Sequence, residues 1–435
     1  MTVRDGRYWT KFKVGILFKL SMFNFLGSKN TVKESSFSDF GYLKPNEYYF
    51  DSACQTLRPE SVIQSEINYY HNFNSCGHRV KYAWGEKTDK LVNQTRQDIL
   101  DLVGKNSKDY VVVFNTNTTQ GINQVLHQLP QIYNQIIISE IEHNSVFIPS
   151  ISWAEKRKLP RLVLPRNENS DSANFGSLIY DVSDLEKAVV LLNSSSNIDG
   201  RKLVNLEQLT TDTHSKKGIV LIDACQTFGH NPEFLTNIDF DAAFGSGHKM
   251  YGPSLGFIVI KKSLLLSLDC FWLGGSTVSS VKKDSYELIS ADEELYARLE
   301  PGLQNYAGII GLGQAINWRK NSKFGENNLS ATEYEKELSV YLHQKIKNIP
   351  GLKLLNQNPS SVVSIHTPKI DGHQLGYFLA EAGIMCRTGY HCCHYYLQEK
   401  MQLPPLFRIS LGLHNTKAEI DYLAEKLEQV LKLYS

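Results

Sequence analysis

The feature that most constrains the fold is a series of short apolar runs that alternate with helical patterns between residues 110 and 260. Several of these runs are continuously apolar, as expected for strands that are buried on both faces of a sheet. The runs cover residues 110–114, 135–139, 162–165, 188–192, 219–222, 242–244 and 257–260. Strands that alternate with helices in this way predict an α/β fold with a mixed, largely parallel sheet of about seven strands.

Polar residues follow five of these runs, at the points where the predicted strands end. They are Asn-Thr-Asn-Thr-Thr after the first, Ser-Glu-Ile-Glu-His after the second, Ser-Ser-Ser-Asn after the fourth, Asp-Ala-Cys-Gln after the fifth and Ser-Gly-His-Lys after the sixth. Ligands of open α/β sheets bind outside the carboxyl ends of the strands. The sequence therefore predicts one binding crevice to which five strand ends contribute.

The last of these segments places Lys249 beside His248 in a glycine-rich loop, F-G-S-G-H-K-M-Y-G-P, at residues 244–253. Burial and a cationic neighbour lower the pKa of a lysine, which makes its amine reactive. The loop lacks the spacing and the Ser/Thr of a Walker motif, and Met250 replaces the third glycine of a dinucleotide fingerprint. We interpret Lys249 as the attachment point of an aldehyde cofactor, pyridoxal phosphate; an ordinary surface lysine is the alternative.

Other strand-end residues suit the remaining parts of such a cofactor. Asp223 ends an apolar run, where an unpaired carboxylate would be costly, and it can pair with a protonated pyridine nitrogen. Gln226 can bond the ring hydroxyl, and His143 can lie flat on the ring. Residues 118–123, which begin with Thr118, offer hydroxyl and backbone N–H groups to a phosphate. Helix caps and a structural histidine are the alternatives for these residues.

A second unit begins near residue 331, with helices at 332–348 and 373–382, a strand at 362–365 and a capped helix from Thr416. Three regions are predicted: a basic extension and linker (1–45), a large cofactor-binding domain (46–330) and a smaller α+β domain (331–435). The first residues of the large domain can pack with the small one. Arg408, in the small domain, can clamp a substrate carboxylate, with a surface salt bridge as the alternative.

The second unit also contains Cys392, which follows an Arg-Thr-Gly segment. Neighbouring cations favour a thiolate nucleophile, and Arg387, His391 and His394 are expected to supply that positive field. A structural pair of Cys392 with Cys393 is the alternative. Zinc is disfavoured, because contiguous side chains in an extended loop point alternately apart and no second ligand pair has finger spacing.

Composition narrows the cellular setting and the partners. The chain has 46 basic and 45 acidic residues, so no overall field directs it to nucleic acid. Seven irregularly spaced cysteines do not form a disulfide framework, which favours a reducing, cytoplasmic setting. Residues 1–29 have helical apolar spacing with six basic residues and one acid. Three interpretations of this segment remain: a helix packed on the domain, a membrane-surface or partner helix, and a transit-like segment that implies an organelle.

The motifs S-G-H-K-M-Y-G-P, D-A-C-Q and R-T-G-Y-H-C, taken together, resemble those of group II (SUF-type) cysteine desulfurases and selenocysteine lyases. These are class V pyridoxal-phosphate enzymes of fold type I. The resemblance extends from about residue 46 to the C-terminus. The lysine motif points to class V, and R-T-G-x-H-C points to the desulfurase branch. The resemblance also implies a homodimer, a downstream sulfur acceptor and a role in sulfur metabolism such as iron–sulfur cluster assembly.

The resemblance assigns roles to individual residues. Those implied for the cofactor are the Schiff-base lysine Lys249, the phosphate contacts Thr119, Ser246 and His248, the stacking His143, the pyridinium partner Asp223, the hydroxyl partner Gln226, and Asn197. Those implied for the substrate are the carboxylate-binding Arg408, the loop residue Arg387, Asn197, the active-site pair His78 and Arg79, and the sulfur-accepting Cys392, next to the additional Cys393.

The chain departs from the family pattern at three places. Leu303 replaces a threonine that normally reaches the cofactor phosphate of the partner subunit, and Val80 replaces a glycine. Arg408 lies one residue further from Cys392 than the corresponding arginine does in the family pattern.

The predicted reaction converts L-cysteine to L-alanine and leaves the sulfur on Cys392 as a persulfide. Lys249 would take the Cα proton, while Arg408 orients the carboxylate. Two alternatives remain. One is another class V enzyme acting on a different amino acid, such as a selenocysteine lyase, aminotransferase, lyase or epimerase. The other is a non-catalytic scaffold with this fold.

Overall fold

A computed structural model of the chain describes residues 38–77, 80–167, 175–356 and 358–434. The interpretations of the basic N-terminal segment, and those of His78 and Arg79, lie outside the described residues. Across the residues that are described, no helix combines the length and the apolar character needed to cross a membrane.

The strands follow one another along the chain as β1 Tyr48–Tyr49, β2 Tyr110–Asn115, β3 Gln135–Ser139, β4 Arg161–Leu164, β5 Arg166–Asn167, β6 Phe175–Leu178, β7 Ala188–Asn193, β8 Lys202–Leu203, β9 Ile219–Asp223, β10 Ala242–Ser246, β11 Gly256–Lys261, β12 Val278–Lys282, β13 Ser285–Leu288, β14 Lys353–Leu354, β15 Val362–His366, β16 Ile384–Met385, β17 Arg387–Gly389 and β18 Leu406–Ser410.

The α-helices are α1 Glu60–Asn72, α2 Ala83–Leu102, α3 Thr118–Gln128, α4 Asn144–Arg157, α5 Leu206–Ser215, α6 Cys225–His230, α7 Lys262–Ser267, α8 Tyr306–Asn321, α9 Ala331–Ile346, α10 Gly372–Glu381 and α11 Lys417–Lys432.

The main sheet has seven strands in the order β2-β11-β10-β9-β7-β3-β4. All neighbours are parallel except β11, which runs antiparallel to both β10 and β2. The seven apolar runs in the sequence correspond to these seven strands, so the predicted mixed, mostly parallel α/β sheet is confirmed.

Both faces of this sheet are buried, which explains why its strands are continuously apolar. Successive side chains of a strand point to opposite faces. In β7, Val190 and Leu192 accordingly join one hydrophobic cluster, and Val189 and Leu191 join a second cluster on the other face. This double burial stabilises the sheet, and the parallel direction of β10, β9, β7, β3 and β4 places the loops at their carboxyl ends along a common edge.

The C-terminal part contains a four-stranded antiparallel sheet in the order β14-β15-β18-β17. Its strands pack with α9, α10 and α11 in a separate hydrophobic cluster. Thr416 and Glu419 form the predicted capping box at the start of α11. The short strand β1 pairs in parallel with β16, so the polypeptide preceding the main sheet contacts this C-terminal part. The division into three regions at residues 45 and 330 stays a prediction.

Candidate active site

A cavity of about 190 Å³ lies at the carboxyl ends of β7, β9 and β10. Eleven of the predicted site residues line it: Thr118, Thr119, His143, Asn197, Asp223, Gln226, Ser246, His248, Lys249, Arg387 and Arg408. A larger cavity of about 380 Å³, bordered by Arg201 and Glu335, contains neither Lys249 nor Asp223. We therefore place the candidate site in the smaller cavity, where the reactive groups converge.

Lys249 ends a single helical turn, Gly247–Lys249, that follows β10 directly. Thr56 holds this turn from the opposite side: its Oγ1 donates to the His248 carbonyl at 3.0 Å and accepts from the Tyr251 backbone N–H at 2.7 Å. Behind the turn, Gly229 approaches so closely that a Cβ atom there would lie 2.2 Å from the Lys249 carbonyl oxygen. The backbone that presents the lysine is thus fixed on both sides.

Asp223 and Gln226 lie on either side of the start of α6. Asp223 is buried at the end of β9, and its Oδ1 accepts the Cys225 backbone N–H at 3.1 Å. The Nε2 of Gln226 donates to the Ala53 carbonyl at 2.9 Å. Its Oε1 is buried and has no hydrogen-bond partner among the described residues. A buried orphan acceptor is rare in native proteins, and the phenolic hydroxyl of pyridoxal phosphate would satisfy it.

The amino end of α3 can hold an anion. Asn117 caps this helix, with its Oδ1 accepting the Gln120 backbone N–H at 2.9 Å. The first N–H groups of a helix have no partner within the helix, so they are available to a phosphate. The Thr119 hydroxyl lies 2.7 Å from that of Ser145 and faces the same cavity. The hydroxyl of Thr118 instead donates to the Gly245 carbonyl at 2.7 Å.

Ser246 and His248 complete this polar end of the cavity. The Ser246 hydroxyl lies 2.9 Å from Nδ1 of His248. Burial, with help from the charge of Lys249, lowers the pKa of His248 to about 4. His248 is therefore neutral near pH 7. One of the two groups donates to the other, so the pair retains one further donor, which is either the Ser246 hydroxyl or the Nε2–H of His248.

His143 caps the amino end of α4, in the segment that follows the carboxyl end of β3. Its Nδ1 accepts the Ser145 backbone N–H at 3.1 Å, so the proton of the neutral ring lies on Nε2. Burial, followed by the nearby charge of Lys249, lowers the pKa of His143 to about 4. A neutral ring of fixed tautomer suits stacking on an electron-poor aromatic cofactor.

The loop that carries Cys392 is anchored through its backbone. Both His391 (φ 46°) and Cys392 (φ 59°) are in the left-handed region. The Asn144 backbone N–H donates to the Cys392 carbonyl at 2.7 Å, and Nδ2 of Asn197 donates to the His391 carbonyl at 2.8 Å. Oδ1 of Asn197 accepts from the Cys393 thiol at 3.2 Å. Both the nitrogen and the oxygen of the Asn197 amide therefore help to hold the cysteine loop.

One guanidinium dominates the electrostatics of this loop. Arg387 reaches the Cys392 sulfur at 3.6 Å through one terminal nitrogen and the Cys54 sulfur at 2.9 Å through the other. The expectation that His391 adds positive charge is wrong, because burial and the nearby Arg408 lower its pKa to about 2 and keep it neutral. Burial also raises the pKa of Cys393, which leaves that residue a thiol.

Arg408 is only 1% exposed, so the alternative of a surface salt bridge is wrong. Its Nη2 pairs with the Asp51 carboxylate at 3.0 Å, and its Nη1 donates to the Asn197 carbonyl at 3.0 Å. Its Nε is buried without a partner among the described residues. Burial lowers the pKa of Arg408 and raises that of Asp51. A substrate carboxylate could therefore be held by a guanidinium that already has a fixed orientation.

Three residues in or beside the cavity were not anticipated from the sequence: Asp51, Cys54 and Ser145. Asp51 and Cys54 belong to D-S-A-C, which follows the short strand β1. The rule that polar residues after a strand mark a site would have selected this segment too. Ser145 follows His143 on the first turn of α4, where its hydroxyl contacts both His143 and Thr119.

Comparisons with known proteins show similarity along most of the chain. Cysteine desulfurases of Escherichia fergusonii and Escherichia coli are each 29% identical over 392 residues, which cover 88% of this chain and 93% of the relative. The structure of cysteine desulfurase CsdA from Escherichia coli, in an S-sulfonic acid form, has a TM-score of 0.78 at 26% identity and covers 92% of this chain and 98% of that one.

The apo cysteine desulfurase of Thermococcus onnurineus NA1 shares the fold, with a TM-score of 0.75 at 23% identity, over 89% of this chain and 95% of that one. The model of the family described as aminotransferase class-V matches residues 48–423, which is most of the chain. The chain therefore belongs to the class-V aminotransferase family of pyridoxal-phosphate-dependent enzymes.

Proposed function

We propose that this protein is a pyridoxal-phosphate-dependent cysteine desulfurase of the group II (SUF-type) branch, which converts L-cysteine to L-alanine and retains the sulfur on Cys392. The observation that carries the proposal is Arg387, which lines the cavity of Lys249 and Asp223 and contacts the Cys392 sulfur at 3.6 Å. Cys392 itself does not line this cavity, but Arg387 joins the cavity that contains the reactive amine to the sulfur of Cys392. The desulfurase relatives and the R-T-G-Y-H-C motif support the same assignment.

The cavity fits the cofactor at each of its functional groups. Lys249 would hold the aldehyde carbon, Asp223 the pyridine nitrogen and Gln226 the ring hydroxyl. The start of α3, with Thr119, and the neighbouring Ser246 and His248 would bind the phosphate. When bound, pyridoxal phosphate withdraws electrons from the Cα of an amino acid attached to it.

Lys249 would move the protons of the reaction. When its Nζ does not hold the cofactor, it would take the Cα proton as a general base, and Thr56 and Gly229 fix the turn that presents it. The His143 ring, neutral and protonated at Nε2, would lie against the cofactor without adding a positive charge that competes with proton removal. Asp223 would keep the pyridine nitrogen protonated.

Cys392 would act as the nucleophile toward the substrate sulfur. A thiolate is the reactive form of cysteine, and the adjacent guanidinium of Arg387 stabilises it. The bonds from Asn144 and Asn197 hold the loop that places the thiol beside Arg387. Attack would form a sulfur–sulfur bond on Cys392 and break the bond between the substrate sulfur and its Cβ. The electron pair of the broken bond would stay with the carbon fragment, which gains a proton at Cβ to become alanine. The Nη and Nε donors of Arg408 would orient the carboxylate during this step.

The decisive experiment supplies L-cysteine and a reductant to the cofactor-loaded protein and measures alanine and sulfide. Cys392→Ala should abolish both products while the visible absorbance of lysine-bound cofactor persists. Cys76→Ala, which changes an exposed cysteine, is the matched control and should retain turnover. Full turnover by Cys392→Ala would refute the assignment of Cys392 as the nucleophile. Activity of that variant on another amino acid would favour a different class V reaction, and failure to bind cofactor would favour a scaffold.

We also propose that the protein acts as a homodimer and passes its sulfur to an acceptor. Leu303, which is 72% exposed, lies on a segment that bonds to the adjacent loop through Gly302 and Gly275. That adjacent loop also carries exposed apolar side chains at Phe271 and Trp272. Such a patch is typical of an interface. Leu303→Asp should shift the sedimentation coefficient toward that of a monomer. An unchanged sedimentation coefficient would exclude this surface as the dimer interface.

A further inference from the structure

A second cysteine shares the cation that serves Cys392. Cys54 follows β1 and is half-buried, and its sulfur accepts from Nη1 of Arg387 at 2.9 Å. The other terminal nitrogen of the same guanidinium reaches the Cys392 sulfur at 3.6 Å. Because a guanidinium is one rigid planar fork, the two sulfurs lie on neighbouring positions of a single group.

Cys54 also lies inside the cavity, where it is a lining residue together with Lys249 and Arg408. The nearby Cys54 thiol acts to lower the pKa of the Asp51 carboxyl, against the larger effect of burial, so a proton acceptor lies near this thiol. A cysteine with a cation on one side and a carboxylate on the other has the surroundings of a reactive residue.

The remaining cysteines of the site region lack these features. Cys225, Cys386 and Cys393 are enclosed, and burial raises the pKa of each thiol. Cys393 adjoins Cys392 in sequence, but its sulfur is directed to Asn197. The neighbour of Cys392 in sequence is therefore held as a neutral thiol, while the partner across Arg387 is more than 300 positions away.

We propose that Cys54 is a second sulfur-carrying residue, which receives the outer sulfur of the Cys392 persulfide across Arg387. The inference rests on the proposed desulfurase function, which supplies that persulfide. It assigns Cys54 a role in handing sulfur on rather than in extracting it from the substrate.

The transfer needs no external oxidant or reductant. The sulfur of Cys54 attacks the outer sulfur of the Cys392 persulfide, and its proton passes to Asp51. A sulfur–sulfur bond forms on Cys54 as the one on Cys392 breaks, and the bonding electron pair leaves with Cys392 as a thiolate. Arg387 contacts both the attacking and the departing sulfur, so it stabilises the negative charge at either end.

The transfer has a measurable consequence, because it frees Cys392 for another substrate molecule. Without a reductant or an acceptor, a protein that stores sulfur on Cys392 alone should release about one alanine per subunit in a burst. With Cys54 as a second store, the burst should approach about two alanines per subunit. Cys54→Ser should reduce the burst to about one alanine per subunit.

The direct test is mass mapping of cysteine-containing peptides from the cofactor-loaded protein after L-cysteine and an alkylating reagent that preserves persulfides. The peptides of Cys392 and Cys54 should both carry an extra sulfur in the unchanged protein. In Cys54→Ser the label should remain on Cys392, and in Cys392→Ala it should be absent from Cys54. The exposed Cys76, in the same digest, should stay unlabelled and controls for non-specific exchange.

The outcomes separate this inference from the function on which it rests. If alanine never forms, the desulfurase proposal fails. If alanine and a Cys392 persulfide form but Cys54 never gains sulfur, the relay is wrong and the function stands. Label on Cys54 in Cys392→Ala would show direct extraction and overturn the proposed order of transfer. Equal amounts of extra sulfur on Cys76 and Cys54 would mean that the sulfur moves by non-specific exchange, which would also overturn the inference.

Discussion

The pairing of Asp51 with Arg408 gives the sharpest quantitative prediction. The side chain of Arg408 is 1% exposed and that of Asp51 20%, with 3.0 Å between Nη2 and Oδ1. Asp51→Ala would leave a buried guanidinium with one remaining bond, from Nη1 to the Asn197 carbonyl. Removing one partner of a buried pair costs roughly 3–5 kcal/mol. Because the Asp51 side is partly open to water, we expect the lower end, about 3 kcal/mol.

The assay is urea unfolding of the unchanged protein and of Asp51→Ala, with comparison of the free energies at equal slope m. The double variant Asp51→Ala/Arg408→Met should unfold at higher urea than Asp51→Ala, because it no longer contains an unpaired buried charge. Asp421→Ala is the matched control, since its partner Lys345 lies at the surface, and it should change the free energy far less.

Two results would refute this reasoning. A cost for Asp51→Ala below about 1 kcal/mol would mean that water already compensates the Arg408 charge. If the double variant loses as much free energy of unfolding as the two single variants together, the two side chains act independently. Either result would also weaken the proposal that Arg408 has a fixed orientation for a substrate carboxylate.

Three further changes have defined outcomes. Gly229→Ala should lower the free energy of unfolding by about 1–3 kcal/mol and weaken cofactor retention, because the new Cβ would press on the Lys249 carbonyl. An unchanged melting temperature and an unchanged visible absorbance of the bound cofactor would contradict the close approach. Arg408→Lys should raise KM for L-cysteine by about tenfold to a hundredfold through loss of charge-assisted bonds, measured by steady-state kinetics, and an unchanged KM would exclude the clamp. Burial lowers the pKa of His391 from 6.5 to about 2, so the unfolded chain binds a proton that the folded chain does not. The free energy of unfolding should therefore decrease as the pH falls below 6.5. His391→Asn should reduce the difference between the free energies of unfolding, measured in urea, at about pH 7 and at about pH 5. The same difference in the variant and in the unchanged protein would contradict this prediction.

The main sheet and most of the cavity could be predicted because local sequence encodes them. Strands buried on both faces must be continuously apolar, and the polar residues that end them, such as Asp223 and Lys249, then share one edge. No comparable local signal exists for contacts between distant segments. Asp51 and Arg408 are 357 positions apart, and Cys54 and Arg387 are 333 apart. Such pairs depend on how the C-terminal part docks, which periodicity does not specify.

The same distinction explains the error at His391. Its place beside Cys392 and Arg387 in sequence favours a positive field, but the sign of its charge depends on burial rather than on neighbours along the chain. Enclosure beside Arg408 makes the charged ring more costly than the neutral one. Loss of the His391 charge leaves a larger share of the positive field at Cys392 to Arg387, which makes that residue more important than the sequence alone suggests.

The manner in which the cysteine loop is held separates its structure from its chemistry. The bonds from Asn144 and Asn197 are accepted by the backbone carbonyls of Cys392 and His391, and the Cys392 sulfur contributes to neither bond. Replacing that sulfur by a hydroxyl in Cys392→Ser keeps both bonds and the same left-handed backbone cost. Loss of sulfur transfer in that variant would thus report on the nucleophile itself. Asn197→Ala, by contrast, keeps the thiol but removes one of the two bonds that hold the loop, so it should slow the reaction with Cys392 intact.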